Sequence, residues 1–318
     1  MDIIGKRLWF FLGSGAAILA GIISLLIPPA LRPGIDFTGG SAMTLTFSRA
    51  ISESEVRSVL TGMGHPEAII QVLGEDSVFI RTTALKEAEL GPDGNVVTPA
   101  EHVQIEEALG DNVAPIEARE FTSVSPVVAR ETVRNAAIAV AIAAVAILVY
   151  ITWAFRRVPN PFRYGVCAVV ALVHDLLVVL GAFSILGKTM NMEVNSMFIV
   201  GVLTVLGYSV NDTIVVFDRI RENISQAIER PLREVVNESL WQTLGRSLNT
   251  SLTTLVVLVA LYLLGGSTIR PLVLAFIIGI VTGTYSSIFV ASQLLVSWEI
   301  GDFGRVLRFL HLAPARSS

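Results

Sequence analysis

The chain has 318 residues, 53% of them hydrophobic and only 16% charged, against about 25% charged in an average soluble domain, which excludes an ordinary water-soluble enzyme and points to a membrane. A net charge of -4 supplies no Lys/Arg-rich face for nucleic acid. The single cysteine, Cys167, sits in an apolar run and leaves no disulfide framework and no cysteine-based metal site.

The first apolar run, Leu8 to Pro28, follows Lys6 and Arg7 and ends in Pro28-Pro29. It is longer than the 7 to 15 residues typical of a signal-peptide core, so it reads as a retained membrane anchor. The next hundred residues, Pro29 to Arg130, carry 7 Lys+Arg and 15 Asp+Glu, a balance of -8, and have room for one small domain. Met43, Leu45 and Phe47 alternate at the period of a half-buried strand. Ser52 with Glu55 forms a capping box opening a helix to about Met63. Ala68 to Leu73 and Ser77 to Thr82, split by Gly74-Glu75-Asp76, read as a hairpin. Thr98, Pro99 and Glu101 signal a second helix to about Leu109 with Pro99 at its first position. Ile116 to Thr122 completes a β-α-β-β-α-β order, the ferredoxin-like split βαβ unit. His65 and His102 read as lone exposed histidines, and Leu85 to Val97, with Gly91-Pro92-Asp93-Gly94, as a solvated loop. An exposed sheet edge can accept a strand, but no segment of the sequence marks such a site.

Five further runs reach the roughly 20 apolar residues that cross a bilayer: Asn135 to Phe155, Tyr164 to Gly187, Ser196 to Phe217, Ser247 to Gly266 and Pro271 to Trp298. The expected fold is thus a polytopic α-helical membrane protein of six transmembrane helices, with one α+β domain outside the cytoplasm between helices 1 and 2. Lys6, Arg7, Arg156, Arg157, Arg163, Arg219, Arg221, Arg230, Arg233, Arg305, Arg308 and Arg316 gather on one side, against Lys188 and Arg270 in the short loops opposite. The positive-inside rule makes that side the cytoplasm. The expected organisation is 1–28 for the N-terminus and helix 1, 29–133 for the outer domain, 134–300 for the five-helix bundle and 301–318 for a cytoplasmic tail.

Ionisable residues within spans are functional suspects. Asp212 lies in helix 4, with Tyr208 and Ser209 on its side of the helix and Asn211 beside it. Arg246 opens helix 5, and Asn249, Thr250 and Thr253 continue a polar stripe. By topology Asp212 and Arg246 both fall in the cytoplasmic third, where they can meet, either as a proton-exchanging site or as a static buried pair. Asp175 follows His174 in helix 3; adjacent positions point about 100° apart, so the two are not expected to face one site, and the plain reading of Asp175 is a bond to a neighbouring helix. Gly181 to Thr189 resembles a phosphate loop, but five residues separate its glycines where four are needed, which excludes nucleotide hydrolysis. Gly279, Gly283, Ser287 and Ala291 form a small-residue stripe on helix 6, as Gly13, Ala17 and Gly21 do on helix 1. Such stripes are packing surfaces, available to a partner.

These residues resemble the SecD-SecF family of bacterial protein-export subunits, itself similar to the resistance-nodulation-division transporters, and specifically its SecF side. The likeness rests on Gly34-Ile35-Asp36-Phe37-Thr38-Gly39-Gly40, His174-Asp175, Gly207 to Glu222, Gln242 to Thr254 and Tyr285 to Ser292. It implies a non-enzymatic role: using the proton-motive force, with protons as coupling ion and no other cofactor, to promote late preprotein movement on the outer side of the inner membrane. Implied partners are a SecD-like subunit, the SecYEG channel with the SecA ATPase, and unfolded preprotein, with YajC and YidC as further candidates. Asp212 matches the family's proton-pathway carboxylate and Arg246 its helix 5 arginine; Tyr208, Asn211, Asn249, Thr250 and Asp175 complete the candidate pathway. Asp36, Gly39 and Gly40 match an outer motif with a structural or coupling role. Some members fuse two halves into twelve spans, so this six-span chain implies a separate SecD half. A proton-coupled half-transporter for lipid or small molecules and a passive translocon scaffold are the competing readings.

Overall fold

A computed structural model describes residues 2–90, 96–226 and 230–301. The chain divides into two units, one of Met1–Arg32 with Ala136–Ser318 and one of Pro33–Asn135. The expected tail from 302 onward and the Gly91-Pro92-Asp93-Gly94 segment lie outside the described residues.

Helix α1 (Arg7–Leu26) follows a 3-10 turn at Ile4–Lys6. The smaller unit then opens with a single turn, α2 (Ile35–Thr38), and β1 (Gly40–Phe47). It continues through α3 (Glu53–Gly62), β2 (Ile69–Leu73), β3 (Ser77–Thr82), β4 (Glu89–Leu90), β5 (Val96–Thr98), α4 (Glu101–Asn112) and β6 (Ile116–Val124). Four strands form an antiparallel sheet in the order β2-β3-β1-β6, with Met43 opposite both Ile80 and Phe121. Period two sends Met43, Leu45, Phe47, Val78 and Ile80 to one face, where they are buried against Val56 and Leu60 of α3 and Ile105 and Leu109 of α4. The capping box is formed: Ser52 Oγ accepts from the Glu55 amide at 3.3 Å, and Glu55 Oε2 accepts from the Ser52 amide at 2.9 Å.

Three expectations for this unit change. α4 starts at Glu101 behind an Ala100 cap that makes no side-chain bond, because Thr98 belongs to the β4–β5 ladder and the Glu101 carboxylate bonds the Lys86 amide at 2.8 Å. The supposed solvated loop therefore holds a short two-stranded sheet. His65 is buried, with Nε2 3.2 Å from Glu101 Oε1 and Nδ1 3.4 Å from Thr82 Oγ1; a histidine that sequence leaves alone meets a carboxylate of α4 and a hydroxyl of β3. His102 stacks on Phe121, with ring centroids 4.0 Å apart.

Gly39 and Gly40 have φ of 74° and 123°, a left-handed region that side chains disfavour. A Cβ on Gly39 would lie 2.9 Å from the Pro126 backbone, and one on Gly40 2.6 Å from the Thr82 carbonyl oxygen. Asp36 lies in the first turn of α2 just before them.

α5 (Pro126–Ala154) begins in the smaller unit and continues into the larger one, which then adds α6 (Pro161–Met190), α7 (Ser196–Gln226), α8 (Leu232–Leu264) and α9 (Arg270–Ser286), a π-helical turn (Ser287–Ala291) and α10 (Ser292–Ile300). Six helical segments among the described residues are long and apolar enough to cross a membrane, so the chain is a multi-pass helical membrane protein. Several helices outrun their apolar windows. α7 continues nine residues past Phe217 and α8 begins fifteen before Ser247, because helical hydrogen bonding continues where charge begins. Arg219 bonds Gln242 at 2.6 Å and Asn223 bonds Ser239 at 2.8 Å across these extensions. Asp212 and Arg246 consequently stand near the middle of long helices, rather than at the end of one and the start of the next.

The helix 6 glycines and Gly21 of helix 1 pack inward, while Gly13 and Ala17 are exposed. A Cβ on Gly279 would fall 2.1 Å from the Val205 side chain and one on Gly283 3.0 Å from Ser209, while Gly21 meets Gly181 backbone to backbone. These surfaces serve α7–α9 and α1–α6 contacts within the chain. The phosphate-loop look-alike is helical in α6, and Lys188 donates to the Ser24 carbonyl and, at 2.8 Å, to its hydroxyl.

Candidate functional site

Asp212 is 8% exposed and accepts two hydroxyls, Ser247 Oγ of α8 at 2.6 Å to Oδ1 and Ser287 Oγ at 2.5 Å to Oδ2. Ser247 and Ser251, four residues apart, share the inward face of α8. Ser251 Oγ lies 2.5 Å from Thr284 Oγ1 and 3.4 Å from the Tyr208 hydroxyl, so Tyr208 joins the same seam of hydroxyls. Asp175 is fully buried. Its Oδ2 accepts Ser209 Oγ at 2.5 Å and Ser286 Oγ at 2.8 Å, and its Oδ1 lies 2.9 Å from His174 Nδ1.

Two expectations fail. No ion pair joins Asp212 to Arg246 among the described residues: Arg246 is exposed, because it precedes inward-facing Ser247 by one position and so points about 100° away. Asn211, Asn249 and Thr250 are exposed for the same reason. Conversely His174 and Asp175 do share a site, since the imidazole and the carboxylate reach back across the angle between adjacent positions.

The structure brings together Asp212, Asp175, Tyr208 and Ser287, the last expected only as a packing residue. Sequence reasoning passes over Ser247, Ser251, Thr284 and Ser286. Their signal is hydroxyl residues recurring at helical spacing in apolar spans, which reads equally as a small-residue packing stripe. Ser286 and Ser287 flank the start of the π turn, where Ser292 Oγ donates five residues back to the Ser287 carbonyl at 2.9 Å; such turns recur at functional sites. Among the described residues no group of three or more His, Cys, Asp or Glu has metal-holding geometry.

The family model described as protein export membrane protein SecD/SecF, C-terminal, matches residues 104–300, and the SecD/SecF GG motif matches 29–51, the segment holding Asp36, Gly39 and Gly40. The chain is 46% identical to the protein translocase subunit SecF of Thermobaculum terrenum over 97% of both chains, and 39% identical to that of Anaerolinea thermophila over 95% of this chain and 96% of the relative. The crystal structure of SecDF, a translocon-associated membrane protein from Thermus thermophilus, superposes with a TM-score of 0.76 at 33% identity. That match covers 94% of this chain and 39% of the longer one. Two family models and full-length relatives agree: the chain belongs to the SecF branch of the SecD/SecF family of protein translocase subunits.

Proposed function

We propose that this subunit, paired with a separate SecD half, converts the proton-motive force into late preprotein movement on the outer side of the bacterial inner membrane. The observation that carries the reading is Asp212: a carboxylate buried at mid-helix whose partners are hydroxyls from two other helices, with no ion pair among the described residues. An ion desolvated there costs several kcal/mol. Taking a proton removes that charge and turns one accepting oxygen into a donor, so the contacts to Ser247 on α8 and Ser287 beyond α9 must rearrange. Protonation is thereby tied to helix movement. One charge crossing 100 mV is worth about 2.3 kcal/mol, roughly a 50-fold bias on a conformational cycle, enough to rectify it.

The exposed polar side chains Arg246, Asn249, Thr250 and Asn211 support a helical partner, since a guanidinium facing lipid costs about 2.5–3.5 kcal/mol. We assign that face to the SecD half, with its own carboxylate within reach of Arg246. SecYEG with SecA, YajC and YidC, and the unfolded preprotein are the further partners of this reading, and protons are its only coupling ion. Residues 29–133 are then an extracytoplasmic ferredoxin-like domain, an assignment supported by the β2-β3-β1-β6 order with two helices on one face, and both termini are cytoplasmic.

The test is preprotein export by vesicles holding this chain and its SecD partner, wild type against Asp212→Asn, with and without a proton gradient. The gradient's benefit is expected to vanish in the variant while the complex still assembles. Export that stays gradient-dependent would make Asp212 structural, as a passive scaffold requires.

A further inference from the structure

We propose that His174 and Asp175 form a second proton-holding dyad in the membrane unit, coupled to Asp212 through the adjacent serines Ser286 and Ser287. This rests on the reading of Asp212 as the proton carrier and extends it to a site on another helix.

The first observation is an orphan. His174 Nε2 is buried and has no hydrogen-bond partner among the described residues, and buried polar atoms in native proteins are paired in the large majority of cases. The other nitrogen, Nδ1, faces Asp175 Oδ1 at 2.9 Å. A carboxylate only accepts, so the Nδ1 proton lies between the two and Nε2 carries the free lone pair. An acid thus fixes the tautomer of an imidazole and leaves its far nitrogen as a base.

The second observation is how Asp175 is held. Three donors converge on it: His174 from its own helix, Ser209 from α7 and Ser286 from α9. Across the face of His174 lies the Tyr285 ring, with centroids 6.1 Å apart; its hydroxyl donates to the Phe10 carbonyl at 3.0 Å and lies 3.2 Å from Ser14 Oγ of α1. Tyr285 is the titratable group facing His174 from α9, and the α1 and α7 contacts are uncharged. Asp175 is therefore the counter-charge for an imidazolium formed here.

The third observation joins the two carboxylates. Ser286 donates to Asp175, and the next residue, Ser287, donates to Asp212. Ser209, another Asp175 donor, offers its carbonyl to Thr213, the neighbour of Asp212, at 3.1 Å. A shift of Ser287 when Asp212 changes protonation is delivered to Ser286 through one peptide unit. When that movement admits water to the α6–α9 seam, hydronium gives its proton to Nε2. An N–H bond forms, an O–H bond breaks, water is left, and the imidazolium is held by Asp175. Release is the reverse.

The experiment uses the full chain with its SecD partner in vesicles. His174→Gln and Ser286→Ala are each expected to cut the gradient-driven gain in export by about tenfold or more, below the usual range for a lost proton-transfer group. Ser286→Ala removes a single oxygen and keeps the test open if His174→Gln fails to assemble. In parallel, 15N NMR of histidine-labelled complex, assigned through the signal lost in His174→Gln, should show Nε2 gaining a proton as the pH is lowered. Its midpoint should move in Asp212→Asn, which a purely packing role would not produce. If Asp212→Asn abolishes the gradient gain while both dyad variants match wild type, or if the His174 signal does not titrate, the dyad is wrong and the Asp212 reading stands. If Asp212→Asn keeps the gain, the Asp212 reading fails, and this inference with it.

Discussion

Gly21 of α1 and Gly181 of α6 meet backbone to backbone: a Cβ on Gly181 would sit 2.5 Å from the Gly21 Cα, and one on Gly21 3.0 Å from the Gly181 Cα. Neither obstacle is a flexible side chain that can turn aside, so the helices must part to admit a larger residue.

Gly181→Val is accordingly expected to destabilise the membrane unit by about 1–3 kcal/mol, the usual cost of overpacking, with Gly181→Ala at the low end. Thermal unfolding of the detergent-solubilised chain measures it. Unchanged melting in Gly181→Val would show that α1 is not seated on α6 as described.

Arg246 has no ion-pair partner among the described residues and is exposed. Arg246→Ala is therefore expected to leave the stability of the isolated chain within about 0.5 kcal/mol, as for a surface substitution, yet to reduce co-purification of the SecD half. A melting shift in the isolated chain with undisturbed assembly would place the guanidinium inside this subunit instead.

Glu55 closes the α3 capping box and pairs with Arg49 at 2.9 Å. The Arg49 guanidinium first, then the Ser52 amide, hold its carboxyl down to about 2 from an ordinary 4.5. A carboxyl lowered on folding contributes stability that is fully present above its unfolded value and disappears as pH falls through the folded one, here between about 4.5 and 2. Carboxyl NMR of Glu55 should give a midpoint near 2 in the wild type, and Arg49→Ala should move it upward. An ordinary midpoint in the wild type would mean the cap is open in solution.

Much of this architecture is legible from residue order alone, because spans, strands and the capping box depend on local periodicity. Leu8 to Pro28 and Pro271 to Trp298 mark their helices to within a few residues, and Ser52 with Glu55 marks a cap that forms. The site is less legible, since which face of α8 turns inward depends on packing that no single helix encodes. The sequence draws attention to Arg246 because a cation in an apolar span is conspicuous, whereas its neighbour Ser247 is the residue that reaches Asp212. His65 and His174 fail for a related reason. Each appears isolated along the chain, and the Glu101 carboxylate that meets His65 arrives from α4, 36 residues on, while His174 closes on Asp175 by bending across an angle that helix geometry alone counts as too wide.

One surplus residue in a helical turn has effects well downstream of it. Each helical position advances about 1.5 Å and about 100°, so removing one residue from the Ser287–Ala291 turn would swing α10 around its axis by about that angle. Glu299, which pairs with Arg163 at the head of α6, and Trp298, whose ring lies 5.8 Å from the same guanidinium, would then face elsewhere. The turn that presents the Ser287 hydroxyl to a carboxylate at one end thus sets the compass bearing of the chain's last described helix at the other.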